Sequence, residues 1–593
     1  MTQTLDSHTS SGGSAAEATK APAAASKFEQ LKAGSGHLQE PLATELENDS
    51  RHFSEPAVQI LKFHGSYQQD NRDNRQKGQE KDWQMMLRLR SPGGRIPASL
   101  YLALDELADR LGNGSLRATT RQAFQMHGVA KADLREVIGT IARYLGSTLS
   151  ACGDINRNVM APAAPFASGG YPAARQLADQ IADLLTPKAA EGSYLDLWVE
   201  GERRYRIKPT PKLKKVRDLA NSGAVFSGDP EEPLYGSTYL PRKFKVAVTV
   251  PGDNSVDLLT QDIGLVAFTT ASGRLQGCNV YVGGGMGRTH NKEETFARVA
   301  DPLGYLAGAD VLPLVQAIVA LQRDHGDREQ RRHARMKYLI HDRGVDWFRN
   351  ELGRYLEAAI QPLRPEPSPQ LQDYLGWHRQ DGGRWFVGLP LLCGRLEGEL
   401  KQGLRQLVET YQLEIRITPN QDLLLCNIGA NQRQEIRQAL ADLGFSNPES
   451  PAPLARHAIA CPALPTCGLA VTESERILPQ VLERLEQLLQ RLAIEQPLLV
   501  RMTGCPNGCA RPYMAEIGLV GSGVNQYQLW LGGSPGLTRL ARPFIEKLPL
   551  DDLERNLEPL LLAWRDQGGK CSFGDFLERL GDDAIRDLLA TVS

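Results

Sequence analysis

The sequence holds no G-x-x-x-x-G-K-[ST] phosphate loop. Its densest glycine cluster, Gly283-Gly-Gly-Met-Gly-Arg288, puts Arg288 where a G-x-G-x-x-G fingerprint needs its last glycine. No cradle for ATP, flavin or nicotinamide is therefore legible, and reducing equivalents, if used, are expected from another protein. No uninterrupted apolar run approaches the roughly 20 residues that span a bilayer; Val311 to Leu321 comes nearest and is broken by Gln316. Only 9 of 593 residues are cysteine, an odd number that argues against a disulfide framework and for a reducing compartment. Charge of either sign is not in excess: the formal net charge is −2, so no global field draws the chain to nucleic acid or an anionic membrane. Met1 to about Ser26 has no apolar signal core, and the first arginine is Arg51, which weakens a transit-peptide reading and leaves a disordered tail.

What remains is a chain of ordinary globular composition, with 41% hydrophobic and 23% charged residues, and it reads as built twice. A strand around Met85 leads through Gly94-Arg95 into a helix carrying Leu100, Leu104, Leu107 and Leu111, then into a strand from Ser115 to His127. Some 300 residues later Phe386 to Leu392, Gly394-Arg395, a helix through Leu404 and Leu407, and Leu413 to Leu425 follow in the same order. Arg95 matches Arg395, Arg117 matches Arg416 and Thr119 matches Thr418, at offsets of 300, 299 and 299. Asp262-Ile-Gly-Leu-Val likewise matches Glu516-Ile-Gly-Leu-Val, and Tyr281-Val-Gly-Gly matches Trp530-Leu-Gly-Gly. Ordered self-similarity of this kind predicts an α+β protein of two pseudo-two-fold halves, each a small unit followed by a larger one, with a seam between them suited to a large ligand.

Cys461-Pro-Ala-Leu-Pro-Thr-Cys467 and Cys505-Pro-Asn-Gly-Cys509 supply four thiols within 49 residues. Four thiolates suit zinc or an iron–sulfur cluster; spacings of five and three are unusual for zinc, which favours the cluster. Gly504, Pro506 and Gly508 put the second pair on a turn, where free backbone amides can face cluster sulfides. Cys152, Cys278, Cys393, Cys426 and Cys571 sit in apolar or mixed contexts and read as small buried hydrophobes.

Cations gather at Arg88 and Arg90, at Arg117 and Arg121, at Arg157, at Arg242-Lys243-Phe244-Lys245 and at Arg331 to Lys337. On a strand Lys243 and Lys245 share one face, with Phe244 on the other. Two adjacent ammonium groups depress each other's pKa, an arrangement that makes sense with an anion between them. Several such clusters in a chain of near-zero net charge suggest a polyanionic ligand.

From about Glu55 to Asp575 these segments together resemble the sirohaem-dependent sulfite and nitrite reductases. Thr503-Gly-Cys-Pro-Asn-Gly-Cys-Ala-Arg-Pro512 carries the resemblance most specifically. Leu116 to Gly128, Gly153-Asp-Ile-Asn-Arg-Asn-Val159 and Leu240-Pro-Arg-Lys-Phe-Lys245 support it. The resemblance implies a pseudo-two-fold α+β fold of ferredoxin-like units (55–148 and 346–450) and larger cofactor-binding units (149–345 and 451–593), after a tail and wrapping arm (1–54). It implies sirohaem coupled to a [4Fe–4S] cluster on Cys461, Cys467, Cys505 and Cys509, with Cys509 bridging the two. Sulfite would meet Arg88, Arg157, Lys243 and Lys245; Arg117, Arg121, Gln125, Arg335, Lys337 and Asn507 would lie on or near sirohaem.

Lys245, where nitrite-type relatives carry asparagine, favours sulfite, because sulfite bears more negative charge and gains more from an added cation. Gly153 replaces an asparagine of some flavoprotein-dependent relatives, and the wording around Ala151, Pro251 and Ile417 is similar to ferredoxin-dependent enzymes. The expectation is thus a monomeric, cytoplasmic enzyme (stromal in a plant or alga) that reduces sulfite with electrons from ferredoxin. Its rivals are a nitrite reductase and a zinc-stabilised nucleic-acid-binding protein; the near-zero charge already weighs against the last.

Overall fold

The computed structural model describes residues 26–188, 196–199, 202–206, 224–567 and 570–591; the tail before residue 26 lies outside them. Two five-stranded sheets form the small units, and each takes one strand from the other half. The strands Ser66–Asp70, Trp83–Arg88, Phe124–Val129 and Leu116–Ala118 are completed by Arg395–Leu396. The strands Gly376–Arg379, Trp385–Leu389, Leu423–Ile428 and Glu414–Ile417 are completed by Arg95–Ile96. Arg395 pairs with Arg117, and Arg95 pairs with Arg416.

The exchange is symmetric at the level of single atoms. Gly94 (φ +79°) and Gly394 (φ +72°) stand where a Cβ would meet a carbonyl oxygen of the opposite half, Ile417 O at 2.3 Å and Ala118 O at 2.2 Å. Only glycine fits such a position. Gln122 Nε2 donates to Ile417 O at 3.1 Å, and Gln421 Nε2 to Ala118 O at 3.2 Å. The duplication read from scattered identities is thus a physical two-fold in which the repeats clasp each other.

The larger units repeat as well. In the first, strand Val246–Thr249 runs parallel to Ile263–Thr269, followed by antiparallel Leu275–Val282 and Asp301–Ala307. In the second, Val500–Thr503 runs parallel to Ile517–Gly523, followed by antiparallel Gln526–Leu531 and Arg542–Pro549, with Ile459–Ala460 added outside. Val246 faces Ile263 as Val500 faces Ile517, so the register is conserved between halves. Asp257 and Arg511, equivalent positions of the repeat, meet in an ion pair between the halves, and Arg501 joins the same carboxylate at 2.8 Å.

Three expectations need correction. Ser115 to His127 is not one strand but the hairpin Leu116–Ala118 and Phe124–Val129; Arg121 sits in its turn, where Gln122 takes φ +56° and anchors its amide across the seam. Leu413 to Leu425 breaks in the same way, with Gln421 at φ +74°. The boundary at 345 also moves, because helix Val345–Leu352 packs on helix Val311–His325 and strand Asp301–Ala307, and so belongs to the first larger unit. Val311–His325 itself is a core helix: Val311, Leu314, Val315, Ile318 and Leu321 are each fully buried. Among the described residues, no helix is long and apolar enough to cross a membrane.

Residues 26–61 carry short helices, Lys27–Ala33, Leu42–Leu46 and Glu55–Leu61, and the segment that follows, expected to be part of a polar wrapping arm, supplies edge strand Ser66–Asp70 of the first small sheet before reaching Arg72. Lys32 is buried and donates to Leu240 O at 2.8 Å. At the far end Arg72 reaches the Cys461–Ala470 segment of the second half.

Candidate active site

Strand Val500–Thr503 delivers the chain to a turn that glycine makes possible. A Cβ on Gly504 would lie 2.5 Å from Thr472 O and 2.6 Å from the Ala463 Cβ, and one on Gly508 (φ +62°) would strike the Tyr513 ring at 2.6 Å. Tyr513 Oη closes the turn by donating to Pro506 O at 2.7 Å. Backbone N–H of Gly504 donates to Cys461 Sγ at 3.4 Å, and Asn507 Nδ2 to Cys505 Sγ at 3.6 Å. Sulfur-directed donors of this kind hold thiolates and raise the potential of whatever they ligate.

Cys461, Cys467, Cys505 and Cys509 all line one cavity of ≈ 640 Å³. Among the described residues no three His, Cys, Asp or Glu side chains converge closely enough to hold a single ion. The four thiols are gathered on the wall of one space, and four thiols are the donor set that an iron–sulfur cluster takes. Burial, with Cys509 as the next cause, pushes the Cys505 thiol up to about 11. It pushes Cys461 and Cys467 up as well. Thiols packed together in this way become stable thiolates only when metal charge compensates them.

Cys509 also lines a second, adjoining cavity, of ≈ 110 Å³, and Asn507, Arg88, Arg157 and Lys243 are common to both. Its wall carries seven cations, Arg88, Arg121, Arg157, Lys243, Lys245, Arg335 and Arg511, and no carboxylate. Arg511 is paired with Asp257, and Arg335 Nη2 with Asp262 at 2.9 Å. Among the described residues, no carboxylate stands within ion-pair distance of the other five.

Elements from the first small unit and the first larger unit place these five cations. Arg88 ends strand Trp83–Arg88; its Nη1 lies 3.2 Å from Cys152 Sγ, and the Gln125 amide, with its oxygen turned inward, accepts from Nε at 2.9 Å. Arg121 Nη1 donates to Gln261 Oε1 at 2.9 Å and Nη2 to Asn158 O, while buried Nε has no partner. Arg157 Nη2 donates to Gly153 O at 3.2 Å. Gly153 (φ +87°) has the Phe63 ring where a Cβ would sit, at 2.8 Å, so the departure noted in the sequence has a steric counterpart. Lys243 and Lys245 flank buried Phe244, which bridges to Asn156. Burial holds both lysines well below the ordinary ammonium range; Arg157, Arg242 and Arg335 add to it for Lys243, and Arg121 and Lys243 for Lys245. Burial likewise lowers Arg121, to about 9. So much uncompensated positive charge, with an orphaned guanidinium nitrogen, fits a bound anion bearing several carboxylates.

Two residues expected on or near the macrocycle are engaged by protein groups. Lys337 is absent from both cavity walls: Nζ donates to Gly287 O at 2.8 Å, Gly285 O at 3.2 Å and Phe296 O, and so shapes the glycine loop from behind. Arg117 lines the larger cavity, yet its charge is paired with Glu475 at 3.2 Å and Nη2 donates to Ala460 O at 3.0 Å, seating the residue before Cys461. Sequence reasoning missed Arg511, whose only signal was its place in the Cys-Ala-Arg-Pro motif. Arg242 and Arg331, members of the cation clusters of the sequence, line the larger cavity beside Asp154. Cys278, Cys393 and Cys426 are buried, Cys571 only half-buried, and Cys152 is buried against the Arg88 guanidinium rather than in apolar surroundings alone.

Fold and site together define a duplicated reductase scaffold for a cluster and an anionic macrocycle. Residues 77–144 and 378–443 match the family described as "Nitrite/Sulfite reductase ferredoxin-like half domain", and residues 221–360 and 452–592 match "Nitrite and sulphite reductase 4Fe-4S domain". The "Sulfite reductase [ferredoxin]" of Synechococcus elongatus is 56% identical over 96% of this chain and 91% of its own. The "Sulfite reductase [NADPH] hemoprotein beta-component" of Acidithiobacillus ferrooxidans is 42% identical over 94% of this chain and 96% of its own. The structure of Mycobacterium tuberculosis NirA superposes with a TM-score of 0.73 at 22% identity, covering 94% of this chain and 97% of NirA, a likeness of fold. The chain belongs to the nitrite and sulfite reductase family, whose cofactors are sirohaem and a [4Fe–4S] cluster.

Proposed function

We propose that the chain reduces sulfite to hydrogen sulfide with six electrons taken singly from reduced ferredoxin, working in the cytoplasm as a single chain. One observation carries this reading: Cys509 lines both the four-thiol cavity and the cation-lined one, so a single sulfur borders the electron store and the place where an anion is held.

When bound, sirohaem and the cluster supply electron storage and an open metal position for sulfur. The chain's own residues do the rest. Arg88 and Arg157, permanently charged, hold the substrate oxygens. Lys243 and Lys245, whose protons are loosened by burial and neighbouring cations, hand protons to oxygens that must leave as water. Arg121, Arg335 and Asn507, with Arg242 and Arg331 at the larger cavity, face the macrocycle's carboxylates. Arg117 and Lys337 act one step back, through the Cys461 strand and the Gly285–Gly287 loop. Sulfite over nitrite follows from charge, since an extra ammonium at Lys245 rewards the more negative anion. Ferredoxin as donor is supported by the resemblance of the whole chain to the cyanobacterial ferredoxin-dependent relative, and by Gly153.

Steady-state rates with reduced ferredoxin, against both sulfite and nitrite, test the reading. A kcat/KM that favours sulfite is expected; a preference for nitrite, or turnover driven by NADPH with no added protein, would overturn it.

A further inference from the structure

The Cys461–Ala470 loop carries two of the four thiols and crosses the protein surface, with Leu469 67% exposed. Three of its carbonyl oxygens converge on one guanidinium from the segment after strand Ser66–Asp70. Arg72 Nε donates to Pro465 O at 3.2 Å, Nη1 to Ala470 O at 3.0 Å and Nη2 to Cys467 O. The Arg72 backbone N–H adds a fourth contact, to Pro465 O at 3.4 Å. The Ala470 N–H closes the same turn by donating to Cys467 O at 3.1 Å, and the Cys467 N–H donates to Ala463 O at 3.0 Å. Arg72 is itself fixed. It opens a short turn in which Asn71 Oδ1 accepts from Asp73 N–H at 3.2 Å, and Asp73 is paired with Arg476 at 2.6 Å, so the residue next to Arg72 is also tied to the second half. Among the described residues, no carboxylate pairs with Arg72; its charge is spent on the loop.

We propose that Arg72 is a positioning residue for the cluster. It clamps the Cys461–Ala470 loop in ligating geometry and places a half-buried positive charge beside Cys467 that makes the cluster easier to reduce. The three carbonyl oxygens repel one another unless a cation sits between them; they are spread around the guanidinium, each on a different nitrogen, an arrangement that a planar five-donor fork matches and a single ammonium nitrogen does not. A cluster ligated by four thiolates carries net negative charge that grows on reduction, so a fixed cation nearby favours the reduced state. Glutamine at position 72 removes both charge and clamp; lysine keeps the charge but offers a single nitrogen to three dispersed carbonyls.

The inference rests on Cys467 being a cluster ligand, and the test separates the two claims. Arg72→Gln and Arg72→Lys holoenzymes are compared with wild type for iron and acid-labile sulfide, for cluster midpoint potential by spectroscopic redox titration, and for the rate of iron release to a chelator. Arg72→Gln is expected to have a more negative potential and iron release faster by ~tenfold or more, equivalent to losing one charge-assisted hydrogen bond. Arg72→Lys is expected to keep a near-wild-type potential while releasing iron faster than wild type. Wild-type potential and wild-type release in Arg72→Gln would overturn the proposal. A lowered melting temperature with potential and release unchanged would overturn it too, by making Arg72 merely structural. Wild-type protein without acid-labile sulfide would instead overturn the cluster assignment itself.

Discussion

Replacing Lys245 with asparagine removes one ammonium from a wall that has no carboxylate. In the protein alone this relieves repulsion from Arg121, Lys243, Arg335 and Arg157, so folding should not suffer and the apoprotein should melt at or above the wild-type temperature. With substrate the sign reverses. At an effective dielectric near 20, one unit-charge pair ~4 Å apart is worth about 4 kcal/mol, and a doubly charged anion roughly twice that. The other cations reorganise and water enters, so a realised loss of roughly 2–3 kcal/mol is expected, or ~30- to 150-fold in kcat/KM for sulfite. Singly charged nitrite loses about half the Coulomb energy, so the sulfite-to-nitrite ratio should fall by ~tenfold. The assay is sulfide and ammonium formation with a chemically reduced dye as donor, alongside the visible spectrum to show that both cofactors are retained. Sulfite kcat/KM within twofold of wild type, with intact cofactors, would refute the charge and proton role given to Lys245.

Cys461→Ser should lose the cluster and, on the bridging role proposed for Cys509, the sirohaem with it; unaltered visible absorbance would contradict the assignment. Because burial and cationic neighbours loosen the protons of Lys243 and Lys245, the active protonated form is present at low pH and lost as pH rises. The alkaline limb of kcat/KM should therefore fall below the usual lysine value of 10.5, and Lys245→Arg, which keeps its proton, should move that limb upward. Asp257→Ala strands Arg501 and Arg511, both buried, and should cost about 3–5 kcal/mol at the seam, read as a lower urea midpoint. Gly504→Ala drives a Cβ against Thr472 O and should give protein deficient in cluster iron, measurable without any activity assay.

Much of this was legible in the sequence because the chemistry needs residue types that stand out. Four thiols in two tight pairs, and lysines two apart running into an apolar strand, can be read without coordinates. The duplication showed because Gly94 and Gly394 are steric necessities of the strand exchange and could not drift. The hairpin turn at Thr119 to Gln122 is hidden because threonines look strand-like locally; what bends the chain is a glutamine amide satisfied by Ala161 O of its own half and Ile417 O of the other, a tertiary fact. Lys337 resembled a macrocycle ligand by position, yet the acceptors that claim it come from residues some 40 to 50 places away. Arg72 gave no signal at all, since its partners lie 393 to 398 residues on.

Iron and acid-labile sulfide analysis of the purified holoprotein, with its visible spectrum, bears most directly on the central claim that one thiol-lined cavity and one cation-lined cavity share Cys509. The account predicts coloured protein with tetrapyrrole bands, and iron exceeding labile sulfide by a single macrocycle iron. Colourless protein holding a lone zinc ion, or cluster iron with no tetrapyrrole beside it, would contradict it.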